Sequence, residues 1–143
     1  VQTFGNFAVF HEGKLLPWKR QKAKELFAFL IDRRGAPVSN AEIAMVLWDD
    51  DTKVRNVQTV MSSLRQTLEE AGCGDVLVRT RNQTSVDTSR VQCDLYDYLA
   101  GDPQATGNYQ GEYMSNYSWA EFTNGELYTH CLEEEEKETR QDR

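Results

Sequence analysis

Apolar positions recur along the chain with two different periods, and the changes between them mark out its elements. Between residues 2 and 10, Phe4, Phe7, Val9 and Phe10 stand among small and polar residues ahead of Glu12-Gly13. This predicts a strand, a turn and a second strand near Leu15 to Trp18. The period then changes: Ala23, Leu26, Phe27, Leu30 and Ile31 fall at i, i+3, i+4, i+7 and i+8, the stripe of a helix that buries one face. Arg33 and Arg34 suit the negative end of that helix, and Gly35 is the expected left-handed residue just beyond it.

Ser39 and Glu42 form S-x-x-E, a capping box that opens a second helix through Ile43, Met45, Val46, Leu47 and Trp48. So short a connection between two helices is the spacing of a helix-turn-helix. After Asp49 to Asp51, a third helix reaches Ala71 on the stripe Val54, Val57, Met61, Leu64 and Leu68, and Gly72 and Gly74 end it. The runs VLVRT and TSVDT then flank Arg81-Asn82-Gln83, a hairpin with a basic, polar tip. A strand pair, three helices and a hairpin in that order predict an α+β fold, a winged helix-turn-helix. From Asp94 the periodicity gives way to aromatics interrupted by Gly101, Asp102-Pro103, Gly107, Gly111 and Gly125, the texture of short helices joined by turns. The expected organisation is a winged-helix domain over 1–93 and a short, aromatic-rich, acidic helical extension over 94–143.

Opposite the apolar stripe of the third helix lie Arg55, Thr59, Ser62, Ser63 and Gln66. A solvated face of an acidic protein usually carries Glu and Lys. Short hydroxyl side chains can instead lie close against base edges, and Gln can bridge adenine. On the hairpin, Arg79 and Arg81 with Asn82 between the strands could clamp phosphates or enter a minor groove. Ser39 and Asn40 stand beside the free N–H groups of the second helix, which favour a phosphate.

The formal charge of −7 over 143 residues argues against a polyanionic partner until it is mapped. Residues 1–93 hold 13 Lys and Arg against 11 Asp and Glu, whereas 94–143 hold 3 against 12. The basic residues thus belong to the winged-helix part. Glu133 to Glu136 read as a solvated helix end, or as electrostatic guarding against non-specific DNA binding. Cys73, Cys93 and Cys131 are an odd number at wide spacing and suit neither a disulfide framework nor a zinc site.

The helical stretch resembles the DNA-binding domain of OmpR/PhoB-type response regulators, and most closely the branch of SARP-type antibiotic regulators and SARP-like two-component regulators. Its pattern G-x-x-V-S-x-x-E-I-x-x-x-L-W is carried by Gly35, Val38, Ser39, Glu42, Ile43, Leu47 and Trp48. The third-helix pattern V-x-x-x-[IVM]-S-x-L-R-x-x-L is carried by Val57, Met61, Ser62, Leu64, Arg65 and Leu68. Residues 109–122, YQGEYMSNYSWAEF, are similar to the start of the bacterial transcriptional activator domain of SARP-type proteins. The resemblance implies that Thr59, Val60, Ser62 and Ser63 face the major groove, that Arg65 contacts phosphate and that the wing borders the minor groove. The wing reads Asn82-Gln83-Thr84-Ser85 where the family usually has G-x-G-Y-R.

The expected function is sequence-specific DNA binding as the output domain of a transcription regulator, in particular a two-component response regulator. Double-stranded DNA is the expected partner, with a second copy on DNA and RNA polymerase as further ones. The chain starts at Val1 rather than Met, so an upstream domain of a longer protein is expected, and the resemblance implies that it is a receiver domain. The alternative is a protein–protein interaction module on the same scaffold, with Tyr109, Tyr113, Tyr117, Trp119 and Phe122 either receiving a partner or packing internally. No phosphate-loop or nucleophile motif is present, and Asp49 to Asp51 lack a calcium-loop pattern, so neither enzyme activity nor cofactor nor metal is expected. No apolar run approaches the roughly 18 residues of a membrane span, and a cytoplasmic location is expected.

Overall fold

The protein is described here by a computed structural model over residues 1–141; positions 142 and 143 of the expected extension lie outside the described residues. The chain divides into two compact units: Val1 with Ala8–Gln92, and Gln2–Phe7 with the chain from Cys93 onward.

The first unit begins with β1 (Phe10–His11) and β2 (Lys14–Leu15), paired antiparallel around the expected Glu12-Gly13 turn. Helix α1 (Gln21–Asp32) buries its whole apolar stripe, and also Ala28 and Phe29, so more than one face is enclosed. Its end differs by one residue from expectation. Arg34 takes the first left-handed position at φ 57° and Gly35 the second at φ 89°. The guanidinium of Arg33 rests 5.1 Å from the Phe29 ring, which occupies this cation otherwise than as a helix cap.

Strand β3 (Val38–Ser39) leads into α2 (Asn40–Trp48) through the capping box: Ser39 Oγ accepts from the Glu42 N–H at 3.1 Å. Asp49, at φ 53°, stops α2 in the left-handed conformation that aspartate tolerates. Helix α3 (Val54–Glu70) follows and packs against α1 and α2, burying Val57, Met61, Leu64 and Leu68. Strands β4 (Leu77–Thr80) and β5 (Gln83–Val86) form the hairpin, with Thr80 opposite Gln83. Strand β3 pairs with β5, Val38 opposite Thr84, so the wing is the outer part of a three-stranded sheet with β5 in the centre. The expected winged helix-turn-helix is present, with this extra strand.

In the second unit, α4 (Asp94–Leu99), α5 (Pro103–Asn108) and α6 (Glu121–Gln141) are the anticipated helices between turns. Asp102 caps α5 by accepting from Ala105 N–H at 3.0 Å, and Pro103 opens the helix where its missing N–H costs nothing. The strand expected over 2–10 is divided: its first part belongs here, with Phe4 bridged to Tyr113 and the Met114 N–H donating to Thr3 O at 2.7 Å. The cause is Asp94, whose carboxylate accepts from Thr3 N–H, Thr3 Oγ1, Phe4 N–H and Leu95 N–H at 2.5–3.0 Å. Phe4 then packs against Tyr98 and Tyr109, at ring distances of 5.6 and 5.2 Å.

Tyr109 and Tyr113 are buried, whereas Tyr117 and Trp119 are half-buried and stacked at 5.3 Å. Phe122 alone of those five aromatics is largely exposed, at 78%. Glu133 to Glu136 lie on α6, facing mostly solvent. The three cysteines are free, and burial pushes the Cys93 thiol up to about 12. Among the described residues no helix is long and apolar enough to cross a membrane.

Candidate nucleic-acid interface

Helix α3 separates its two faces cleanly because its apolar residues recur at 3 and 4. With Val57, Met61, Leu64 and Leu68 anchored in the core, the opposite arc carries Arg55, Thr59, Ser62 and Gln66, all exposed, and half-buried Ser63. The main-chain oxygen of Ser63 accepts from Thr67 Oγ1 at 3.0 Å. Val60 does not join that arc. It is 5% exposed and lines a hollow of about 550 Å³ beside α3, on the flank of the arc rather than within it. The reason is angular: Val60 lies about 100° around the helix from Thr59, on the flank that turns toward Trp48 and the start of α1.

Gln66 is exposed but not idle. Its Nε2 donates to Glu70 Oε1 at 3.0 Å, and the same oxygen lies 3.5 Å from Lys19 Nζ.

At the N-terminus of α2, the expected phosphate site, the capping box is made. Ser39 Oγ is engaged by Glu42 N–H, and the Glu42 carboxylate lies 3.5 Å from the Ser39 nitrogen. Asn40 turns its Oδ1 inward, where it is buried without a hydrogen-bond partner.

The wing presents Arg79, Arg81 and Asn82 to solvent, with Asn82 at φ 59°, a conformation asparagine accepts in tight turns. Below them Thr84, opposite both Arg79 and Val38, is buried at 1%. Among the described residues the side chains of Arg55, Arg65, Arg79 and Arg81 make no hydrogen bond or ion pair. Arg90, by contrast, is held by Asp75 at 2.6 Å and Asp87 at 3.3 Å. The arginines expected to face a polyanion are thus among the described cations whose side chains have no protein partner.

Arg20, Lys22, Trp48 and Asn56 line with Thr59 a hollow that no sequence pattern marks as a site. Lys22 organises it: its ammonium donates to Leu47 O at 2.7 Å and to Glu25 Oε1 at 2.9 Å, and lies 5.8 Å from the Trp48 ring centre. Asn56 precedes Thr59 by three residues, the one local signal that could have placed it at this edge of the recognition face. Of the aspartates at 49–51, Asp50 bonds within its own loop while Asp49 and Asp51 are exposed. Asp50 accepts from the Thr52 N–H at 2.9 Å and hydroxyl at 2.6 Å, which holds its carboxyl below the usual carboxylate range. Among the described residues no group of three or more His, Cys, Asp or Glu could hold a metal ion.

Residues 18–85 match the family described as "Transcriptional regulatory protein, C terminal". No curated protein matches the chain by sequence. Among solved structures the chain is similar to Mycobacterium tuberculosis EmbR in complex with a low-affinity phosphopeptide, with a TM-score of 0.69 at 19% identity. That similarity covers 92% of this chain but 42% of the EmbR chain, and at such identity it concerns the fold.

Proposed function

Residues 18–85 belong to the OmpR/PhoB-type family of transcriptional regulatory C-terminal domains, a family of DNA-binding regulators, and from that premise we propose that α3 reads a specific duplex sequence as the output element of a two-component response regulator. The observation that carries this reading is the outward arc of Thr59, Ser62, Ser63 and Gln66, flanked on α3 and the wing by four arginines without a protein partner. Short hydroxyl side chains let the helix backbone approach base edges, while unpaired guanidiniums hold phosphates and fix its register. Arg55 and Arg65 serve the strands on either side of the major groove, and Arg79, Arg81 and Asn82 serve the neighbouring minor groove. The SARP-like branch is favoured by the sequence patterns around Trp48 and Tyr109 to Phe122.

In the cell, this reading places the protein in the cytoplasm, with a receiver domain upstream, a second copy bound on DNA and RNA polymerase as the recipient of its signal. Retention of random duplexes at low salt, followed by sequencing of the bound fraction, tests it. The expected result is an enriched motif whose half-sites lie about one helical turn, roughly 10 base pairs, apart. Retention without enrichment would reduce the protein to a non-specific binder, and no retention would remove DNA as its partner.

A further inference from the structure

We propose that Glu70 is a positioning residue that makes the DNA-reading helix select adenine through Gln66. The proposal rests on the reading role of α3 given above.

An ionised carboxylate can only accept hydrogen bonds, so a glutamine amide 3.0 Å from Glu70 Oε1 must turn its NH2 group toward it and its carbonyl oxygen away. The orientation of this amide, which is ambiguous for a glutamine in water, is therefore fixed by chemistry. Lys19, from the segment preceding α1, holds the same oxygen from the other side at 3.5 Å, so the carboxylate is itself braced between two elements.

Gln66 follows Thr59 by seven residues, two turns along the helix. It therefore points in almost the same direction, about 10 Å further along the helix axis. With one Nε2 hydrogen given to Glu70, the side chain presents a second N–H and a free carbonyl oxygen to the outside. That pair matches the major-groove edge of adenine, whose N7 accepts and whose N6 amino group donates. It does not match guanine, which offers two acceptors there and would leave the fixed carbonyl facing an oxygen. Without the brace, the amide could flip and meet either purine.

Glu70 also carries a cost that identifies its role. A carboxylate close to DNA repels phosphates, so a surface evolved only for affinity would not keep one on the reading helix. Removing it is expected to loosen selectivity while binding itself holds or tightens, a combination that a merely structural residue does not produce.

The test applies the random-duplex selection to the whole chain and to Gln66→Ala, Glu70→Ala and Glu70→Gln. The wild type should show adenine at one position of each half-site. Gln66→Ala and Glu70→Ala should both lower that preference about ten-fold at this position alone. Glu70→Ala should bind random duplexes at least as tightly as the wild type. Glu70→Gln, whose amide can donate as well as accept and so no longer fixes the Gln66 amide, should lose the preference much as Glu70→Ala does. A wild-type motif that Glu70→Ala leaves unchanged at every position overturns the role of Glu70 alone, as does a loss spread evenly over all positions. Failure of the wild type to retain any duplex overturns both this role and the function it rests on.

Discussion

The ammonium of Lys22, on α1, donates to the main-chain oxygen of Leu47 at 2.7 Å, one residue from the end of α2. That carbonyl belongs to the last turn of α2, where oxygens lack helical donors and a cation is favoured. A single side chain thereby fixes the approach of α1 to the helix that carries Trp48. Lys22→Met keeps the aliphatic stem but loses the charged bond and the contact with the Trp48 ring. Because Lys22 is partly exposed, the expected loss is about 1 kcal/mol, read from urea unfolding. An unchanged midpoint would show that the bond contributes nothing to the packing of α2.

Asp94 is the most heavily used side-chain acceptor in the second unit. Asp94→Ala leaves Thr3, which is fully buried, with an unpaired N–H and hydroxyl, and should cost about 2–3 kcal/mol. Faster amide exchange at Thr3 and Phe4 than in the wild type is the specific signature. Protection that persisted at both amides would show that the pairing with residues 112–115 suffices to hold this segment.

Much of this was legible beforehand, for identifiable reasons. The stripes of α1 and α3, the Ser39–Glu42 box and the Arg81-Asn82 turn are local patterns, and each is found where its spacing put it. What escaped depended on contacts remote in sequence. Asp94 draws Thr3 across 91 residues, and no period in residues 2–10 could reveal that. Val60 is only 5% exposed because its flank of α3 lines a hollow with Trp48 and the start of α1.

Arg79 and Arg81 stand on the wing without protein partners, so each is available to a phosphate. Replacing either by Ala should weaken all duplexes alike and lower the slope of log affinity against log salt by about one. A loss confined to one target sequence would instead assign that arginine to base or groove-shape readout.

Ser39 Oγ satisfies a main-chain donor in the first turn of α2. Ser39→Ala should cost about 1 kcal/mol in thermal or urea unfolding, with Ser39→Asp restoring most of it. Equal losses in both variants would locate the effect in the β3–β5 pairing rather than in the cap.

Burial raises the Cys93 thiol from its ordinary 9.0 to about 12. A group whose folded value is raised favours folding fully below the unfolded value and loses that contribution as pH climbs toward the folded one. Stability should therefore decline between about pH 9 and 12, and less steeply in Cys93→Ala measured against its own neutral-pH value. At pH 8 iodoacetamide should label the half-buried Cys73 and Cys131 well before Cys93; labelling of all three at one rate would contradict the burial.

The composition of the chain changes at Asp94, and a cut made there would break the molecule at the wrong seam. The helical fragment would keep the Asp94 carboxylate but lose residues 2–7, which supply three of its donors, while the other fragment would carry that segment with nothing to bind it. In topological terms Ala8–Gln92 is a guest inserted into a host that owns chain on both sides of it. The guest is the piece to express alone, from Ala8 to Gln92. The host is recovered by splicing residues 2–7 back onto Cys93 through a flexible linker, or by supplying them as a peptide.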